Sequence, residues 1–438
     1  MSDTSVNEAG SSGGSANHST PSLGEAFKVW LRIGLLSFGG PAAQIALMHR
    51  EVVDQRGWMS EQSFLNALSF CMLLPGPEAM QVATYAGWRM HGTIGGLIAG
   101  ALFVVPGAIV IAFLATIYVL AGTIGWVDAL FLGVKSAVIV IVLEALLRVA
   151  KRALLAHWHW GVAGLAFVAI FFLSLPFPVI ILAAGVFGAM RAVARAENEP
   201  VAAAMTTSVG ATVGRVCVWL VIWWLPVAGL YASNAQLLFE VGVFFSKLAV
   251  VTFGGAYAVL AYLAQDVVEY HGWLSAGQML DGLGLAETTP GPLILVTEFV
   301  GFLAGYQSGG LPLAFAAAGV TLWVTFVPCF LWIFAGAPYL DWIASRPRLS
   351  GALAGITAAV VGVMLNLSVW FALQVFFGEV TTSSVGPLTL WLPDLSTLDW
   401  RVVSLAVVAG VLLLRLHWNV ASVIGVVAVL GVVSEAIA

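Results

Sequence analysis

Apolar residues gather in thirteen stretches along the chain, at 23–48, 63–88, 93–120, 126–148, 159–174, 176–190, 211–231, 238–263, 278–306, 310–336, 349–378, 401–416 and 418–436. A helix needs about 20 apolar residues to cross a bilayer, and most of these stretches reach that length. The pattern predicts an all-α polytopic membrane protein. Stretches 159–174, 176–190 and 401–416 are short for a full span, so either a span or a re-entrant segment is open for each.

A shift of 215 positions lays the first part of the chain on the second, and Phe38–Pro77 then matches Phe253–Pro292 at 15 of 40 positions without a gap. Phe38-Gly39-Gly40 falls on Phe253-Gly254-Gly255, Gly57-Trp58 on Gly272-Trp273, and Pro75-Gly76-Pro77 on Pro290-Gly291-Pro292. This is an internal duplication. It divides the chain into a disordered cytoplasmic tail (1–22), a first repeat (23–195), a linker with a connecting transmembrane helix (196–237) and a second repeat (238–438). Each repeat holds six apolar segments, and the single connector inverts the second relative to the first. Two inverted-topology repeats are the mark of secondary transporters, whose sites lie at the repeat interface near the midplane.

The placement of Lys and Arg agrees with that orientation when the N-terminus is cytoplasmic. Arg89, Arg148, Lys151, Arg152, Arg191, Arg195, Arg346, Arg348 and Arg415 then fall in cytoplasmic loops. The loop 379–400, expected outside, carries Glu379, Asp394 and Asp399 but no Lys or Arg. Arg50 and Arg56 are the exceptions, since both fall outside.

Composition removes the soluble alternative. Hydrophobic residues make up 61% and charged residues 9%, too few polar groups to cover a soluble protein of this size. A net charge of −5, thinly spread, indicates no nucleic-acid partner. Cys71, Cys217 and Cys329 show no ligand spacing. No phosphate-binding loop, nucleophile elbow or zinc-protease motif is present, so neither an enzyme nor a cofactor is expected. His157-Trp158-His159-Trp160 stands at a segment edge, where tryptophans form an interfacial belt rather than a metal site.

Candidate chemistry lies inside the apolar stretches. Pro75-Gly76-Pro77 and Pro290-Gly291-Pro292 cannot continue a helix. Each should stop one helix and start another within the membrane, with Pro77 and Pro292 at its first position. The unpartnered amides and positive dipole end of such a helix suit an anion. Gly39, Gly40, Gly254 and Gly255 serve close backbone approach or a hinge. Arg32 and Lys247 are repeat-equivalent cations, costly in a span and therefore substrate candidates; Arg50 joins them. Glu78, next to the first Pro-Gly-Pro, and Glu287, just before the second, are candidates to carry a coupling proton. A capping role for Glu78 stays open.

With these residues in view, the sequence resembles the chromate ion transporter family in its long, two-domain form. The resemblance rests on Ser37-Phe38-Gly39-Gly40-Pro41, Arg50-Glu51-Val52-Val53, Gly57-Trp58 and Leu74-Pro75-Gly76-Pro77, with second-half counterparts Thr252-Phe253-Gly254-Gly255-Ala256, Gly272-Trp273 and Thr289-Pro290-Gly291-Pro292. It covers about residues 23–436. It implies chromate efflux across the bacterial inner membrane, driven by an ion gradient, with chromate resistance as the outcome. The residues alone reach an inverted-repeat transporter for an anion. Sulfate, another tetrahedral dianion of similar size, and an anion channel are the alternatives, and a homodimer is left open.

Overall fold

The computed structural model describes residues 21–121, 125–193, 209–253, 256–340 and 346–437. Gly254, Gly255 and the tail up to residue 20 lie outside the described residues. The chain is helical nearly throughout. Glu78–Ala121, Gly125–Ala153, Gly210–Ala232, Leu293–Tyr339 and Pro347–Phe376 are each long and apolar enough to cross a membrane.

Four stretches expected as spans fold back as helical hairpins instead. Helix α1 (Leu23–Leu36) starts on a Ser22 cap and ends at Ser37; α2 (Gly40–His49) follows after a break in which Gly39 and Gly40 take φ of 83° and 77°. Those left-handed angles suit glycine, and they end the helical ladder where two glycines already weaken it. A straight continuation would put Glu51 about 28 Å from Arg32 along the axis. Their side chains are instead 3.8 Å apart. The next pair, α3 (Glu61–Cys71) and the first arm of α4 (Glu78–Ala121), flanks Pro75-Gly76-Pro77. There Phe70 and Tyr85, about 22 Å apart on a continuous helix, bring their rings to 6.4 Å. Both hairpins arise because their tips cannot carry the backbone ladder, while aromatic and ionic contacts hold the arms together.

The second half repeats the design. Helices α9 (Gln236–Val251) and α10 (Ala256–Gln265) close with Phe244 and Tyr262 rings 6.0 Å apart. Helix α11 (Ala276–Thr288) and the first arm of α12 (Val296–Gly336) close with the Phe299 ring seated on Gly282. Ser60 and Ser275, repeat-equivalent, cap α3 and α11 by accepting the amides of Ser63 and Gln278. Helices α4 and α12 each turn back once more, at His91-Gly92 and at Gly309-Gly310.

The halves interlock beyond the hairpins. Helix α5 (Gly125–Ala153) is the long helix after α4, and α13 (Pro347–Phe376) is its counterpart after α12. The last two helices of the first half, α6 (His157–Phe171) and α7 (Phe177–Val193), pack on α13. The last two of the second, α14 (Trp400–Gly410) and α15 (Val420–Ile437), pack on α5. Small residues allow this: Gly133 lies on the Val427 carbonyl, and Gly188 on that of Gly351. Where lipid is as apolar as the side chains, such close backbone approach drives helix association. The short stretches at 159–174 and 176–190 are therefore packed neighbours of α13. Helix α8 (Val209–Ala232), the connector, packs on α9 and α12.

One element departs from the all-α expectation. The loop 379–400 contains an antiparallel hairpin, β1 (Val380–Val385) with β2 (Leu388–Pro393), docked on the turn between α6 and α7 by Thr389 N–H donating to Phe172 O at 2.7 Å.

Candidate functional site where the hairpin tips meet

Ser37 and Thr252 finish α1 and α9 identically: each hydroxyl donates to the carbonyl four residues back, Ile33 and Leu248, at 2.6 Å. Their own carbonyls are then used across the repeat. Thr252 O accepts the Gly76 amide at 2.7 Å, and Ser37 O accepts the Gly291 amide at 2.9 Å. Each Pro-Gly-Pro tip is thereby fastened to the chain entering the other half's Phe-Gly-Gly. Irregular backbone at this depth survives because these polar groups find partners inside the protein.

Two glutamines complete the junction. Gln44 Nε2 donates to Gly291 O at 2.7 Å and to Ser37 O at 3.2 Å. Gln81 Nε2 donates to Pro75 O at 2.7 Å. The Oε1 atoms of both are buried and unpartnered among the described residues, so each leaves an acceptor beside a tip. The tips are backed by the residues that follow helix prolines. Gly107, after Pro106, lies on the Pro290 carbonyl, and Cys329, after Pro328, packs its sulfur on Gly76.

The structure brings together Pro75, Gly76, Pro77, Pro290, Gly291 and Pro292, with Gly39 and Gly40 on the turn just after Ser37. It corrects their detail in two respects. Helix α4 opens at Glu78, and a 3-10 turn, Leu293–Leu295, precedes α12, so Pro77 and Pro292 stand just ahead of their helices. The Gly76 and Gly291 amides are already bonded to carbonyls, which leaves the first-turn amides of α4, starting at Glu78, as those without a helical acceptor.

The cations are placed elsewhere. Arg32 is 59% exposed on the flank of α1, and its partner Glu51 is 2% exposed and also holds Arg56 at 2.5 Å. Lys247 is exposed on α9, with Asp266 and His271 as its charged neighbours. Arg50 is exposed at the base of the first hairpin. None of the three reaches the tips. Glu78 lies at the first tip, while Glu287 is buried below the second and accepts the Tyr257 hydroxyl of α10.

At the hairpin base His49 meets Asp54 at 3.3 Å through one ring nitrogen and Glu61 through the other. The hydrogen bond that its ring donates to Glu61 raises its pKa above the ordinary 6.5, against a smaller opposing effect of burial. With both nitrogens engaged by carboxylates, this group is an ion-pair bridge between α2 and α3. His159 in the His-Trp repeat accepts the Ala156 amide at 3.0 Å and caps α6.

Gln44, Gln81 and Gly107 belong to none of the sequence motifs, and Glu51 only to Arg50-Glu51-Val52-Val53. The sequence carries a signal for Gln44 and Gln81, since a polar side chain in an apolar stretch asks for a partner just as Arg32 does. Gly107 gave none.

Residues 24–189 and 239–432 both match the chromate transporter family. The chain belongs to that family. It is 32% identical over 376 residues to the chromate transport protein of Pseudomonas aeruginosa, covering 83% of each. To the chromate transport protein of Cupriavidus metallidurans it is 31% identical over 351 residues, which span 79% of this chain and 82% of the relative. No solved structure matches it.

Proposed function

We propose that this chromate transporter exports its substrate across the bacterial inner membrane by alternating access around the four hairpin tips, giving chromate resistance. The observation that carries the reading is the reciprocal pair of bonds, Gly76 to Thr252 and Gly291 to Ser37. A site built equally from two repeats can open to either side by rocking one against the other. The repeats are inverted in this reading. Each half contributes two re-entrant hairpins and four spans, and α8 crosses between them. Fold-back of the first hairpin returns Arg50 and Arg56 to the cytoplasmic side with Arg89, Arg148, Lys151 and Arg152, which removes the two exceptions to the positive-inside rule.

The anion is held at the tips, by Gly39, Gly40, Pro75, Gly76, Pro77, Pro290, Gly291, Pro292 and the adjoining Gly254 and Gly255. The first-turn amides of α4 supply donors and its dipole supplies positive charge. Arg32, Arg50 and Lys247 draw the anion along the hairpin flanks. Outward movement of a dianion is favoured by a negative cell interior, by about 2.3 kcal/mol per charge per 100 mV. Glu78 and Glu287 couple the cycle to protons, because an ionised carboxylate at a tip repels the substrate and a protonated one does not. In that case Glu78→Gln changes the pH dependence of transport; an unchanged dependence removes Glu78 from the coupling.

The test is chromium content over time in chromate-exposed cells, with this chain expressed or absent, and with or without a proton uncoupler. Lower chromium that rises on uncoupling is expected. Equal or higher chromium in expressing cells overturns export. Sulfate added to the same assay measures how far a tetrahedral dianion of like size competes.

A further inference from the structure

Two buried acids, Asp281 and Glu298, take no part in the reading above. Asp281, midway along α11, is 2% exposed. Its Oδ2 accepts the Tyr118 hydroxyl at 2.8 Å and lies 3.4 Å from Lys135 Nζ. Its Oδ1 is buried and has no hydrogen-bond partner among the described residues. Lys135 approaches over Gly277, where a side chain would crowd its ammonium, and it remains 26% exposed.

This arrangement admits two protonation states. In one, the carboxylate is ionised and joins α5 to α11 through Lys135, with one oxygen left bare in a medium that penalises bare charge. In the other, a proton on Oδ1 neutralises the acid and releases the Lys135 ammonium, which is 26% exposed, from the pair. The change is felt by the second Pro-Gly-Pro hairpin. Asp281 lies about 13 Å along α11 from Pro290. Tyr118 is wedged between Phe131 of α5 and Phe299 of the hairpin's other arm, at 5.1 and 5.4 Å.

The elements packed around Asp281 carry further ionisable groups. Asp128, two turns earlier on α5, is the further charged group acting on it. Of the other helices packed on α11, α12 carries Glu298, 2% exposed with Oε2 unpartnered among the described residues, α4 carries Glu78 and Arg89 on its first arm, and α13 and α15 carry Arg348 and Glu435 near their ends. The equivalent position in the first half is Asn66, which accepts from Gln62 and cannot take up a proton.

We propose that Asp281, Lys135 and Tyr118 form a proton-binding site that sets the grip of α5 on the second Pro-Gly-Pro hairpin. The link from this site to flux rests on the transport reading above; proton binding itself does not. The full-length protein in nanodiscs is therefore measured first by infrared difference spectroscopy between acidic and alkaline pH. A carboxylic-acid carbonyl band that titrates in the wild type and is lost in Asp281→Asn is expected. Chromate flux into proteoliposomes across the same pH range is measured next. Asp281→Asn should flatten the profile, and Tyr118→Phe, which removes a donor to the carboxylate, should move its midpoint toward alkaline pH. Tyr118→Phe keeps the test alive if Asp281→Asn does not fold, since it also displaces the infrared midpoint. A band unchanged by either substitution overturns the proposal. A band that behaves as expected without any chromate flux upholds the proton site and overturns the transport reading instead.

Discussion

Gly107→Ala adds one methyl group where α4 backs the second Pro-Gly-Pro tip. Built on the present backbone, that methyl would lie 2.6 Å from Leu295 Cδ1 and 3.1 Å from the Pro290 carbonyl carbon, and closer still to the carbonyl oxygen. Carbon atoms prefer about 3.5–4.0 Å, so the tip must retreat by roughly 1 Å. Overpacking of this kind costs about 1–3 kcal/mol. Alanine returns about 1 kcal/mol in helix propensity, which leaves a net cost of up to about 2 kcal/mol against the seated tip. At about 1.4 kcal/mol per factor of ten, the seated population falls by up to roughly 30-fold. Gly319→Ala is the matched control, because it makes the same change inside α12 where no atom lies within 4 Å. The assay is initial chromate flux in proteoliposomes at equal protein content, with thermal stability in detergent measured alongside. Gly107→Ala should lose flux while remaining folded, and Gly319→Ala should match the wild type. Equal flux from the two variants would refute the view that the seated tip is part of the transport site.

Gln44→Leu deletes two hydrogen bonds and leaves the buried Gly291 carbonyl with one partner fewer; a cost of about 1–3 kcal/mol is expected, read as reduced flux with a smaller change in Tm. Glu51→Gln leaves Arg56 without its buried counter-charge and should lower Tm clearly, whereas Arg32→Gln, at an exposed partner, should lower it little. The His49 bridge makes stability depend on pH with a defined sign. Its pKa is raised in the folded protein, so its contribution is complete below about 6.5 and is lost as pH rises through the higher folded value. Thermal unfolding from pH 5 to 9 should therefore show a wild-type advantage over His49→Gln at the acid end that disappears at the alkaline end.

Much of this architecture is local chemistry and could be read without coordinates. Membrane class follows from composition, the duplication from identities at fixed spacing, and the helix stops at Pro75-Gly76-Pro77 and Pro290-Gly291-Pro292 from proline stereochemistry. What the chain does after each stop is not local. A break permits either a continued span or a turn back, and the same residues satisfy both. The turn back is settled by Arg32 meeting Glu51, Phe70 meeting Tyr85 and Phe244 meeting Tyr262. The destination of the tip amides is likewise tertiary, since Gly76 and Gly291 find their acceptors in the opposite repeat. Periodicity and propensity describe a residue's near neighbours along the chain. The pairing of one repeat's tip with the other's carbonyl depends on how two folded halves come together, and for that reason Gln44 and Gly107 acquire their importance only in the assembled fold.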